Sequence, residues 1–453
     1  MLPLSIAAAL KDSKIELVRQ WLSTGPDNEA LGHALLRSVG STQSSLEIVE
    51  LLAKAGADLN FTYKSYSIVI GPPLFIAAAN SSIALAKRLL ELGADAAYQK
   101  PNGANALYSA VISRMPERAA MIDLLISCGV DPDAGLKEGV AALDEASRRP
   151  PFDLVKHLLK AGADQSALGW SPLMRAIALD NVARCRELLR THPAAAPPDV
   201  WERTPFLLAV QTGEVAKAEI LVADGANLDD RGRLGNTALM YAAEVNAVAM
   251  IEWLVARGAD VDAVNDQNWT ALMCAASHGA AGAVAALILA GADITLGTGT
   301  LQTAMDVATN IETVAALRAA GADVDRVSGD GYNLLKRAAE DGNLEFVRQL
   351  LELGADPNRT SLGEDPLHMA TYADNVEIMR ALLDKGADPN MAEYDGWTPL
   401  HSAKSVEAAQ LLIERGGDPG REDHFRSPPA ATVNSDDVKA FIASAFDAKT
   451  QAR

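Results

Sequence analysis

Residues 393–403 read EYDGWTPLHSA, a turn running into the start of a helix, and altered copies of this stretch recur through most of the chain. Thr398 is of the residue type whose side-chain oxygen accepts from the unbonded N–H groups of a helix start. Pro399 follows at the first helical position, where a missing N–H does no harm. The same phrase opens at Ser171 (SPLMRA), Thr204 (TPFLLA), Thr237 (TALMYA), Thr270 (TALMCA), Thr303 (TAMDVA), Asn333 (NLLKRA), Asp365 (DPLHMA) and Ser427 (SPPAAT). Every first position is Ser, Thr, Asn or Asp, so each phrase is read as a helix N-terminus.

A second marker, Gly-Ala-Asp or a close variant, falls at Gly56, Gly93, Gly129, Gly162, Gly225, Gly258, Gly291, Gly321, Gly354, Gly386 and Gly416. It closes amphipathic runs such as NVEIMRALLDKGAD, in which Val376, Ile378, Met379, Leu382 and Leu383 keep helical spacing. Glycine there supplies the left-handed residue that ends a helix. Most phrases reach their glycine in 21 residues, and most glycines precede the next phrase by 12. The phrases at Thr303 and Thr398 take 18, which predicts a shortened helix or loop. Gly25 extends the series toward the N-terminus, and LLRTHPAAAPPD holds a degenerate copy with His192 in the glycine position.

The unit is therefore helix, short loop, helix, turn, and in tandem it resembles the ankyrin-repeat family, whose repeat carries TPLHxA. The resemblance implies an all-α solenoid of helix-turn-helix units joined by β-turn or hairpin loops. It places about thirteen repeats over residues 1–420, degenerate at the N-terminus and near 191–200, and a capping half-repeat with a tail over 421–453. Repeats one and two are read as lacking a cap, Pro72 and Ala141 stand in cap positions, and the tail beyond Asp447 is expected to fray.

Acidic residues outnumber basic ones by 59 to 40, a formal charge of -19. Such a field repels nucleic acid and anionic membranes and favours a neutral or basic protein partner. The basic pairs Arg148-Arg149 and Arg114 with Arg118 are read as solvated faces. Cys128, Cys185 and Cys274 lie too far apart for a disulfide framework or a zinc site. No apolar stretch approaches ~20 residues, and no basic signal segment opens the chain, so a cytoplasmic location is expected.

No nucleotide loop, HExxH or nucleophile elbow occurs, and GTGT at Gly297 lacks a following Lys-Ser/Thr. The Asp residues after GA suit turn chemistry better than metal binding. No catalytic residue, metal, cofactor or small-molecule substrate is expected, and the chain is not read as an enzyme. His368 and His401 fill the histidine slot of TPLHxA, where the resemblance implies a side chain tying adjacent turns together.

What stacking leaves free can address a partner. Trp170, Trp269 and Trp397 precede the cap directly, Tyr332 matches them, Trp201 lies three residues before its cap, and Tyr394 adds a ring to the final turn. Rings of this kind anchor interfaces, or else pack on the neighbouring turn. Trp21 and Trp253 are assigned to the core. In NFTYKSYSIVIG, Asn60 to Gly71, the glycine-to-cap distance grows to 16, and Phe61, Tyr63 and Tyr66 with Ile68–Ile70 predict a short β-prone finger. Its rings either contact a partner or fold back over the N-terminal repeats. The leading expectation is a protein-protein interaction scaffold or adaptor that binds a protein partner on the concave groove and turn tips the resemblance implies. The alternative is an inhibitor or immunity-type protein neutralising one basic enzyme or toxin, and an enzyme with a cryptic site stands third.

Overall fold

The computed structural model describes residues 4–11, 13–40, 46–65, 68–113, 115, 117–133, 142–148, 150, 152–194, 196–299, 302–359 and 364–451. The chain divides into two compact units, Met1–Thr212 with Glu219–Ala226, and Gly213–Ala218 with Asn227–Arg453.

The first unit holds the helix pairs Leu4–Lys11 with Ile15–Leu22, Asn28–Gly40 with Leu46–Lys54, Pro73–Ala79 with Ile83–Glu91, and Ala106–Ile112 with Arg118–Ser127. Ala142–Ser147 with Asp153–Lys160, Pro172–Leu179 with Val182–Leu188, and the helix Pro205–Thr212 follow. First helices pack on first helices, as Pro73–Ala79 does on Ala106–Ile112, and second on second. One buried cluster runs through the unit and includes Leu89, Leu107, Ile122, Leu125, Val155 and Leu158. Ala77, Ala78 and Ala110 let the helix backbones approach closely.

The second unit repeats the plan. Ala238–Glu244 pairs with Val248–Val255, Ala271–Ser277 with Ala281–Leu289, Leu334–Glu340 with Leu344–Glu352, and Pro366–Tyr372 with Val376–Asp384. In the two short repeats the first helix is what shrinks. Thr303–Ala308 forms only turns before helix Ile311–Ala319, and Pro399–Ser402 is a single 3-10 turn before Val406–Glu414. The second helices start from Asn310 and Ser405, whose side chains accept from the N–H groups of Thr313 and Ala408. Each lies seven residues after its phrase, against ten from Asn333 to Asn343. Three residues are nearly one α-helical turn, so the deletion removes a turn and keeps the second helix in register.

The capping expectation is met at Ser171, Thr204, Thr237, Thr270, Asn333 and Asp365, each accepting from the backbone N–H three residues on. Thr303 and Thr398 turn instead to the side chains of Asp306 and His401. Ser427 requires correction: the last short helix, Pro429–Thr432, is preceded by Pro428, which has no side-chain cap. The 12-residue spacing from Gly416 points to Pro428. Repeat two is also corrected, because Asp27 Oδ1 accepts from Ala30 N at 2.7 Å and starts helix Asn28–Gly40 earlier than the motif suggests. Pro72 stands before Pro73–Ala79 without a side-chain cap, as expected. Ala141 lies outside the described residues.

At Gly258 the backbone is left-handed, φ +89°, and nothing lies within 4 Å of where a Cβ would sit, so conformation and not space demands glycine. Ala259 N then reaches back to Leu254 O at 3.1 Å and closes the helix. The final helix, Asp436–Gln451, continues past Asp447, where fraying was expected. Lys449 Nζ meets Asp418 Oδ1 at 2.9 Å and holds its last turn. No helix among the described residues is long and apolar enough to cross a membrane.

Candidate partner-binding turns

Each repeat meets the next through a tight turn. Glu393 N bonds Trp397 O at 2.8 Å, with Gly396 left-handed between them. The same closure recurs from Asp199 to Arg203, Asn265 to Trp269, Ser328 to Tyr332 and Asp423 to Ser427.

The aspartates that follow Gly-Ala and their near neighbours are accounted for here. In GAD-x-N/D the Asp carboxylate accepts from the N–H two residues on, as Asp260 does from Asp262 at 3.1 Å. The second Asx then accepts from the Asp N–H of the following repeat: Asp95 onto Asn60, Asp164 onto Asp133, Asp293 onto Asp262, Asp356 onto Asp325, Asp388 onto Asn358 and Asp418 onto Asn390, all at 2.7–2.9 Å. At Asn358 and Asn390 the amide also donates to the next glycine carbonyl, of Gly386 and Gly416, both at 2.9 Å. The described residues contain no cluster of three or more His, Cys, Asp or Glu able to hold a metal.

The aromatic residues are shared between this framework and the surface. The indole N–H groups of Trp170 and Trp397 donate to Asp199 Oδ2 at 3.0 Å and Asp423 Oδ2 at 3.1 Å, one turn further on. Trp201 donates to Asp144 O and Ser147 Oγ. Trp269 is half-buried, its backbone N–H on Asn265 Oδ1, and Tyr332 lies under Lys336 Nζ, 4.3 Å from the ring centre. Phe61 packs so closely over Gly32 that a Cβ there would fall 2.4 Å from its ring. His33 meets Phe61 and Tyr63 edge-on at 5.3 and 4.4 Å. The finger is an antiparallel hairpin, Tyr63–Ser65 with Ile68–Ile70, Tyr63 opposite Ile70; Tyr66 lies outside the described residues. Among the described residues of the sequence-selected set, Tyr394 alone stands almost free, 86% exposed.

Two features were missed in the sequence. Phe425 is 73% exposed on the next turn tip, and His424 N bonds Asp395 O at 3.0 Å, tying that turn to the one bearing Tyr394. Arg203 occupies the pre-cap position that holds an aromatic in four other repeats, and it is 1% exposed. Its guanidinium forks onto Asp199 Oδ2 at 2.6 and 2.9 Å and donates to Gln211 Oε1 at 2.6 Å. The exception in the pattern was the available signal.

The histidines behave as the motif implies. His368 Nε2 lies 3.2 Å from Trp397 O, and His401 Nε2 lies 3.2 Å from Ser427 O, each a bridge to the next turn. Burial would push the His368 imidazole down, but Asp365 and Glu393 outweigh it and hold it above the ordinary histidine value. Burial prevails at His401 and lowers it. Burial also pushes the Tyr372 hydroxyl up, as does its bond to Glu393, leaving it a donor.

A family model described as ankyrin repeats (3 copies) matches residues 40–135, 74–167, 143–232, 226–298, 301–393 and 335–423, well over half of the chain. The chain belongs to the ankyrin-repeat family. Among solved structures, the human ASB11 ankyrin repeat domain is similar at 27% identity over 48% of this chain and 100% of that one, with a TM-score of 0.43. No curated protein matches. Ankyrin repeats generally mediate protein-protein interaction, and the fold is typically a non-catalytic scaffold.

The ankyrin turn ladder yields a first prediction. Burial holds the Asp325 carboxyl above its usual value, against the opposing bond from Asp356 N, and the neighbouring Asp323 and Asp356 carboxylates add to the rise. An ionised Asp325 therefore disfavours folding, by an amount complete above its folded value and lost as pH falls toward the unfolded one. Asp325→Asn removes the charge and supplies the amide that Asn358 gives to Gly386. Chemical denaturation at pH 7 should show a gain of about 0.5–1 kcal/mol, kept small by partial exposure. The gain should shrink toward pH 4; a loss of stability, or a pH-independent gain, would contradict the assignment.

Proposed function

We propose that this chain is a protein-binding scaffold that engages a neutral or basic protein partner through its turn tips and adjoining first helices. The observation that carries this reading is the pair of exposed rings, Tyr394 and Phe425, on turns tied to each other by a backbone hydrogen bond. Two large apolar rings held in water on rigid supports lose little entropy on binding, which is the property of an interface anchor. The exposed Asp395 and Glu422 beside them, and the charge of -19, suit a basic partner surface. The half-buried Trp269, Tyr332 and Trp397 of the second unit and Trp170 and Trp201 of the first are further proposed contacts, as are Phe61, Tyr63 and Tyr66 at the finger. The repeat array at 1–420 with its terminal cap at 421–453 is the proposed organisation, located in the cytoplasm.

The test begins with affinity capture at ~150 mM salt, near physiological screening, followed by calorimetry of any stoichiometric partner. Tyr394→Ala with Phe425→Ala should weaken binding by about 2 kcal/mol or more, roughly thirtyfold, while the melting temperature stays within a degree or two. Unchanged affinity in a folded double variant would remove the turn-tip assignment.

A further inference from the structure

In a chain this acidic, residues 148–190 are an exception, with eight Lys and Arg against four Asp and Glu. Two adjoining clefts open there on the second-helix side of the first unit. One, about 410 Å³, lies between Arg118–Ser127 and Asp153–Lys160; the other, about 620 Å³, lies between Asp153–Lys160 and the pair Pro172–Leu179 with Val182–Leu188. Lys156 and Lys160 line both, and Arg175 and Arg184 line the second.

These cations are not consumed by internal pairing. Among the described residues Lys160 and Arg175 have no carboxylate partner; Arg175 donates to the neutral Gln165 Oε1 at 2.6 Å. Lys156 stands 3.8 Å from Asp153, and Arg184 pairs with Glu187 at 2.6 Å, both across open surface where such pairs contribute little. Of the carboxylates in the linings, Asp123 is occupied by His157 Nδ1 at 2.8 Å, and Asp180 is the other. Helix electrostatics explain Lys160, in the last turn of its helix, but not Arg184, in the first turn of Val182–Leu188, where a cation faces the positive end of the dipole.

We propose that the paired clefts bind a short acidic peptide segment of a protein partner, with aliphatic side chains between its carboxylates. Leu159, Leu179 and Leu188 interleave with the cations and are partly exposed, giving the aliphatic groups a surface. The cations are spread over two openings and reach into solvent, unlike the convergent buried donors that hold an isolated phosphate. The charge of the whole chain opposes a nucleic acid or an anionic bilayer, whose field extends far beyond these clefts, whereas a short segment meets only the local charge. This site uses residues of the first unit and the turn-tip reading uses Tyr394 and Phe425 of the second, so its failure leaves that reading untouched.

The probe is a fluorescein-labelled peptide of about ten residues mixing Glu with Leu, titrated with the full chain by anisotropy at ~50 and ~200 mM salt. Binding should weaken with salt and fall about tenfold or more in Lys160→Glu with Arg175→Glu. Lys439→Glu, an exposed cation in the final helix, should leave it unchanged. Lys160→Gln with Arg175→Gln repeats the test with less perturbation if the reversal variant unfolds. Any of four results would overturn the proposal: no binding, equal loss in the Lys439 control, equal binding of a peptide with Leu replaced by Ser, or full displacement by inorganic phosphate.

Discussion

Asp199→Ala should destabilise the first unit by about 3–5 kcal/mol, the cost of leaving a buried guanidinium without its counter-charge. Arg203 and Asp199 are buried, and the carboxylate also accepts from the backbone N–H groups of Trp201 and Arg203 and from the Trp170 indole. One side chain thus fixes the proline-rich turn, the fork of Arg203 and the ring of the preceding turn. The loss should appear in chemical denaturation as a lower midpoint. In hydrogen exchange it should appear as reduced protection over Ala142–Ser147, Pro172–Leu179 and Pro205–Thr212, the helices that flank the turn. Replacing both partners, Asp199→Leu with Arg203→Leu, should recover part of the deficit, because no uncompensated charge remains. A double variant that loses the sum of the two single losses would show that the pair is not coupled.

His368→Ala should cost the second unit about 3 kcal/mol, combining the cavity left by a fully buried ring with the loss of its bridge to Trp397 O. The pH dependence distinguishes this from an ordinary cavity. Asp365 from its own repeat, and Glu393 and the Trp397 carbonyl from the next, face the imidazole, with Tyr372 at its edge. The folded value is raised, so His368 contributes stability that is complete below the unfolded value of about 6.5 and lost as pH rises through the folded one. His401 is lowered and has the opposite sign: its contribution is complete above about 6.5 and lost as pH falls toward its folded value. The wild type should therefore lose part of its advantage over His368→Ala on going from pH 6 to pH 8. His401→Ala should close its gap to wild type on acidification. Parallel pH curves for variant and wild type would show that His368 is held by packing alone.

The repeat architecture was legible because it is written in spacing. A capping residue, a glycine at 21 and the next cap at 12 fix two helices and a turn, since each marker answers a local backbone need. The same spacing showed that the repeats at Thr303 and Thr398 were short. Which helix shrank became readable only from the second-helix caps Asn310 and Ser405, whose role is clear once compared with Asn343 and Asn375. The caps at Asp27 and Pro428 escaped because a motif was preferred to the chain's own distances. Arg203 escaped for another reason: a charged side chain in a turn is ordinarily solvated, and only folding brings Asp199 and Gln211 around it. Exposure at Phe425 is likewise a property of assembled turns, since the letters around it resemble those of any terminal repeat.

The Asp and Asn ladder also dictates how such a chain can change its length. At these six joins donor and acceptor come from the same place in the turn, so the repeats they connect behave as interchangeable cassettes: copying or excising about 33 residues between two such joins restores the same bond. Insertions of other sizes are tolerated only downstream of the acceptor. The finger obeys this, because its four extra residues enter after Asn60, and Asp95 N still bonds Asn60 Oδ1 at 2.9 Å. The same insertion placed ahead of Asn60 would carry the acceptor away from its donor, so novelty can accumulate at the tips while the seams between cassettes stay uniform.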